Sequence, residues 1–167
     1  MSRSRALALI GFMASGKSTI GALVAARAGA PHHDLDTMVQ DRCGMTIQEL
    51  FRRDGEAAFR HLEAALLPEA LQAGAVVSLG GGTPLRDESW RLIRERAVSV
   101  WLDVPLPEMM ARAGQGTDRP LLGARGEGHL RALLEARLPR YREADHRVDA
   151  FRPPEVVAEE VCRLWSG

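Results

Sequence analysis

The chain has 167 residues, 46% hydrophobic and 26% charged, which is the size of one domain with enough apolar material for a real core and excludes disorder as its main state. Lys plus Arg and Asp plus Glu are each 22, so the zero net charge gives no footing for a nucleic-acid binder or a membrane-surface protein. Cys43 and Cys162 stand far apart and outside any CxxC spacing, which argues against a disulfide framework or zinc site and for a reducing, cytoplasmic compartment.

Short apolar runs alternate with helical patterns, the rhythm of parallel βαβ units in an α/β three-layer domain. In chain order, strands are predicted at 6–10, 33–35, 75–79, 98–103 and 147–150. Helices are predicted at 17–28, 37–42, 46–53, 56–73, 87–96, 105–113, 128–143 and 154–165. Thr46 followed by Glu49 reads as a capping box, and Pro105 and Pro154 suit first helical turns. No run approaches the roughly 18 apolar residues of a membrane-spanning helix. The two arginines before the first apolar run imitate a short signal peptide, but Gly16 and Lys17 interrupt the run too early. A single soluble domain over 1–167 is expected.

The first strand runs directly into Gly11-Phe12-Met13-Ala14-Ser15-Gly16-Lys17-Ser18, a match to G-x-x-x-x-G-K-[ST] at the start of a helical pattern. Such a loop curls backbone N–H groups around phosphate, its lysine reaches the β- and γ-phosphates, and its serine hydroxyl can ligate Mg²⁺. Lys17 is the one lysine among the 22 basic residues, so the Asn-Lys-x-Asp base-reading motif of GTPases is absent and ATP is the expected nucleotide. Protein-kinase signatures are absent too. A small-molecule kinase remains, with a noncatalytic ATP-binding regulator as the alternative.

Asp34 and Asp36 alternate, so an extended backbone would point both carboxylates at one site, and an acid beside a phosphate loop is what holds Mg²⁺. Asp34 also fits an ordinary helix N-cap or turn. His32 and His33 read as exposed turn residues. The third strand ends in Ser78-Leu79-Gly80-Gly81-Gly82 without the acid expected there, and three glycines suit close backbone approach to a ligand. The glycine-rich stretch 113–128, with Asp118-Arg119-Pro120 at its centre, reads as a mobile loop, either a plain connection or an active-site lid.

Together these motifs resemble the shikimate kinase family through nearly the whole chain: Gly11 to Ser18, Asp34-x-Asp36, Gly55-Glu56-x-x-Phe59-Arg60-x-x-Glu63, Gly80-Gly81-Gly82, Asp118-Arg119-Pro120-Leu121-Leu122, and Arg137-x-Pro139-x-Tyr141-x-Glu143. The resemblance implies a nucleoside-monophosphate-kinase-like P-loop fold with a five-stranded parallel sheet, a substrate-binding region over about 34–63 and a lid over about 113–126. It also implies transfer of the ATP γ-phosphate to the 3-hydroxyl of shikimate, a step of chorismate and aromatic amino acid biosynthesis, by a monomer.

Carried over by position, the resemblance gives Asp36, Arg60, Gly80, Gly81, Gly82 and Arg137 to shikimate, and Ala14, Ser15, Gly16, Lys17, Ser18 and Thr19 to the ATP phosphates. Arg112, Arg152 and Pro154 would flank the adenine, and Arg119 would close on the phosphates. Lys17, Asp36 and Arg119 form the expected catalytic set, and Ser18 and Asp34 the Mg²⁺ set. Glu63 forms a surface ion pair with Arg60 or orients it. The chain departs from the family at Ala14, where glycine is usual, and at Pro153-Pro154, where Asn-Pro is common. A positive φ at position 14 would strain an alanine.

Overall fold

The computed structural model describes residues 4–113 and 126–167. Five strands, β1 (Ala6–Ile10), β2 (His32–Asp34), β3 (Val76–Ser78), β4 (Ala97–Asp103) and β5 (His146–Asp149), form one parallel sheet in the order β2-β3-β1-β4-β5. The central strand is the most apolar: all five residues of β1 are fully buried, as a parallel strand covered on both faces requires. Its register is set by Leu7 opposite Val76 and Val98, and by Leu9 opposite Ser78 and Val100. Burying a Leu or Ile here contributes roughly 1.5–3 kcal/mol.

Among the described residues, seven α-helices connect and cover the sheet: α1 (Lys17–Ala28), α2 (Leu35–Cys43), α3 (Ile47–Ala70), α4 (Asp87–Arg96), α5 (Leu106–Ala113), α6 (Gly126–Tyr141) and α7 (Pro154–Ser166). α1 packs on α7, and α2 on α3. The Thr46–Glu49 capping box forms in full and starts α3, and Pro154 opens α7. Pro105 lies just before α5, its carbonyl accepting from Glu108 and Met109.

The two helices predicted over 46–73 join into α3, with one break at Gly55 (φ 85°, ψ 174°). That backbone is open to glycine and strained for other residues, so Gly55 turns the chain between two helical stretches without a connecting loop. His32 and His33 are not exposed turn residues; they pair with Val76 and Val77 inside the sheet and are half-buried. The strand predicted at 33–35 is there, shifted by one residue to His32–Asp34. No described helix is long and apolar enough to cross a membrane.

All five strands run the same way, and β1 lies between β3 and β4, so the connections from its neighbours leave in different directions. Ligands of open α/β sheets bind outside the carboxyl ends of the strands at such a reversal. The phosphate-loop motif, Asp34, the triple glycine and Ala150 all follow strand ends on that side.

Candidate active site

A cleft of about 930 Å³ opens at this edge. Every predicted site residue within the described part of the chain lines it: Ala14, Ser15, Gly16, Lys17, Ser18, Thr19, Asp34, Asp36, Arg60, Gly80, Gly81, Gly82, Arg112, Arg137, Arg152 and Pro154. Arg119 and most of the predicted lid lie outside the described residues; of that stretch, 126–128 form the first turn of α6.

One wall is the loop between β1 and α1. Gly16 caps α1 in the left-handed region (φ 91°), no side chain caps the helix, and its first turn holds no acid, which leaves the positive end of the helix facing the cleft. Lys17 Nζ donates to the carbonyls of Gly11 (2.7 Å) and Phe12 (2.9 Å), which draws the ammonium over the loop. Ser15 is buried and its hydroxyl has no hydrogen-bond partner, a polar atom left for a ligand in a nest of N–H groups. Ala14 has φ 57°, the one positive φ at a non-glycine among the described residues, so the strain expected of alanine there is realised.

Ser18 donates to the Asp34 carboxylate across the cleft. Asp34 also accepts from Thr37 N as the N-cap of α2, so the capping and site readings of this residue describe one geometry. The expected alternation along a strand is corrected: β2 stops at Asp34, and Asp36 sits in the first turn of α2. Both carboxylates line the cleft, brought there by a strand-to-helix turn. Ser18 and Asp34 offer oxygen donors alone, the chemistry Mg²⁺ takes, and among the described residues no group of three or more His, Cys, Asp or Glu makes an all-protein metal cage. That donor set fits a Mg²⁺ ion held largely by phosphate oxygens and water.

Beneath this wall His32 Nε2 lies 2.9 Å from Ser78 Oγ, which donates to the Lys17 carbonyl at 2.8 Å. Burial lowers the His32 pKa, Asp34 opposes this and His33 adds to it. A Cβ at Gly21 would fall 2.5 Å from both His32 Nε2 and Ser78 Oγ, so the absence of a side chain there leaves room for this pair between α1 and the sheet. This joint was not foreseen, because none of its members belongs to a recognisable spacing.

The opposite wall comes from α3, α6 and the glycine turn after β3. Arg60 donates to Glu63 at 3.0 and 3.3 Å and pairs with Glu56 at 3.4 Å, its guanidinium 5.1 Å from the Phe59 ring centre. Glu63 is 3% exposed, so the surface-pair reading is corrected: it is a buried anchor for a half-buried arginine. Burial pushes the Glu63 carboxyl up from its ordinary value; Arg60 and then Thr83 oppose that rise, and Asp36 adds to it. Arg137 is 5% exposed, lies 5.4 Å from the Phe12 ring centre and keeps its Nε without a hydrogen-bond partner. A desolvated guanidinium with a spare donor calls for an anion.

The glycines leave the space that these side chains occupy. A Cβ at Gly82 would meet Arg60 Nη2 at 2.5 Å, one at Gly81 would meet Arg137 Nη1 at 2.6 Å, and one at Gly80 would meet Glu63 Oε2 at 2.9 Å and Asp36 Oδ1 at 3.3 Å. Arg112 and Arg152 lie at the phosphate-loop end, where Arg112 Nη1 reaches the Ala14 carbonyl at 3.4 Å and Arg152 is held by Glu160 and the Asp149 carbonyl.

Comparison with known proteins accords with this geometry. The model of the family described as shikimate kinase matches residues 13–165. The chain belongs to the shikimate kinase family. Within the family it is 40% identical over 162 residues to the shikimate kinase of Synechococcus elongatus, covering 95% of this chain and 85% of the relative. It is 37% identical to that of Aquifex aeolicus, covering 95% of each. The shikimate kinase of Acinetobacter baumannii solved in complex with shikimate superposes with a TM-score of 0.91 at 29% identity, over 96% of this chain and 92% of that one. A Sinorhizobium meliloti gluconokinase shares the fold at a TM-score of 0.56 and 19% identity, over 98% of this chain and 93% of that one. Family membership makes the chain an ATP-dependent kinase with an alcohol acceptor.

Proposed function

We propose that the chain transfers the γ-phosphate of ATP to the 3-hydroxyl of shikimate, giving shikimate 3-phosphate and ADP, with the two substrates on opposite walls of the cleft. The observation that carries the reading is the pair of guanidiniums, Arg60 and Arg137, packed against Gly81 and Gly82 in the same cleft as Lys17 and Ser18. Two planar forks suit a small carboxylate, each able to grip it with parallel hydrogen bonds.

In this reading the N–H groups of Ala14 to Thr19 and the Ser15 hydroxyl receive the ATP phosphates, and Arg112, Arg152 and Pro154 border the adenine. Lys17 leaves its loop carbonyls for the β- and γ-phosphates, exchanging two neutral acceptors for charged ones. Ser18 and Asp34 would hold Mg²⁺, Asp34 directly or through a water; the ion would neutralise charge on the phosphate oxygens. Asp36 accepts a hydrogen bond from the attacking 3-hydroxyl and aims its lone pair. As the new O–P bond forms and the bond to the ADP oxygen breaks, the hydroxyl proton leaves late, so positioning matters more than base strength. Arg119, carried over from the motif alone, would add its charge to the transferring group.

The test is a coupled ADP-release assay with shikimate, gluconate and nucleoside monophosphates in turn. Turnover with shikimate alone is expected. Gluconate-dependent ADP with none from shikimate would overturn the assignment.

A further inference from the structure

The proposed acid-binding wall leaves one buried polar group without a part. Tyr141 is 0% exposed, at the last turn of α6, four residues after Arg137 and therefore on the same helix face. Its ring packs at a tilt of 42° against Trp101, with centres 6.0 Å apart, and its hydroxyl donates to the Gly81 carbonyl at 2.6 Å. The hydroxyl thus crosses from α6 to the middle of the glycine turn, sixty residues away in sequence. A Cβ at Gly81 would lie 2.6 Å from Arg137 Nη1 and 3.4 Å from Tyr141 Oη, so carbonyl, phenol and guanidinium meet at one point.

We propose that Tyr141 is a positioning residue for the acceptor substrate: its hydroxyl fixes the Gly81 carbonyl and so holds the glycine turn at the spacing that presents Arg137 to the substrate carboxylate. The proposal rests on the assignment of Arg137 and the triple glycine to shikimate. A glycine turn has no side chains to anchor it, and its middle carbonyl is held from outside by this bond. The donor is dependable: burial pushes the phenol up to about 12, against the opposing effect of Arg137, so it stays protonated through the neutral range. Phenylalanine keeps the ring contact with Trp101 and removes the hydroxyl, with its bond to the Gly81 carbonyl and its contact with Arg137.

The full-length Tyr141→Phe enzyme is assayed with shikimate varied at saturating ATP and with ATP varied at saturating shikimate. The shikimate KM is expected to rise roughly 5- to 100-fold, the range for a buried acceptor left without its donor, while the ATP KM stays at the parental value. In an Arg137→Ala background the same substitution should add little, since the turn then has no guanidinium to present. An unchanged shikimate KM, equal rises in both KM values, or a fully additive double variant would each overturn the proposal. If Arg137→Ala is impaired for shikimate and Tyr141→Phe is not, the positioning role alone falls. An Arg137→Ala enzyme with a parental shikimate KM overturns the acid-wall assignment, and the positioning role with it.

Discussion

The two walls of the cleft solve the problem of binding an anion in opposite ways. The phosphate-loop wall is local: Gly11 to Thr19 are consecutive, its donors are mostly main-chain N–H groups, and its lysine rests on its own loop carbonyls. The other wall is assembled from α3, α6 and the turn after β3, and its arginines are held beforehand by Glu63, by aromatic faces and by packing into the space the glycines leave. A loop that must let go of its lysine tolerates adjustment when its ligand arrives. A wall with a buried and a half-buried guanidinium depends on being correct before a ligand arrives, because moving a desolvated charge is costly.

This contrast is broken most severely at Lys17. Lys17→Met is expected to abolish shikimate-dependent turnover, read as ADP release, since no other lysine exists to replace it. The next largest effect belongs to the preorganised wall. Arg60→Ala or Arg137→Ala should weaken shikimate binding roughly 10- to 150-fold, the range for charge-assisted hydrogen bonds, with ATP binding nearly unchanged. Calorimetry showing equal losses for both ligands would merge the two walls into one. The smallest effect is at Ala14. Replacing an alanine held at φ 57° by glycine relieves about 1–2 kcal/mol of strain and gives back part of it as chain entropy, so Ala14→Gly should raise Tm by about 1–4 °C. A lower Tm would mean that the loop gains nothing from a glycine there.

The same contrast explains what could be read beforehand. The phosphate loop was legible because its chemistry is contiguous and its flanking strand and helix are strongly patterned; β1, α1 and α4 fall on the predicted residues. That Arg60 and Arg137 meet at one turn was expected through resemblance, since nothing in their spacing brings them together. Glu63 was left open between a surface ion pair and an orienting residue because ion pairs three residues apart are usually solvated, and its burial depends on the glycine turn packing over it. Asp34 and Asp36 were placed together for the wrong backbone reason: β2 ends at Asp34 and α2 begins at Leu35, so the backbone is helical where their alternation required it to be extended. His32 was read as an exposed turn residue because a histidine pair at a short edge strand carries no periodic signal.

Gly21 has a consequence for how this family member can vary. A glycine inside a helix costs roughly 0.5–1 kcal/mol relative to alanine, so substitution to alanine would ordinarily be an improvement. Here the added methyl would fall 2.5 Å from His32 Nε2 and from Ser78 Oγ, two side chains bonded to each other and, through Ser78, to the carbonyl of Lys17. Positions 21, 32 and 78 are therefore coupled: a side chain at 21 requires His32 and Ser78 to shift and their bond to the Lys17 carbonyl to rearrange, so the effects of changing them are expected to be non-additive.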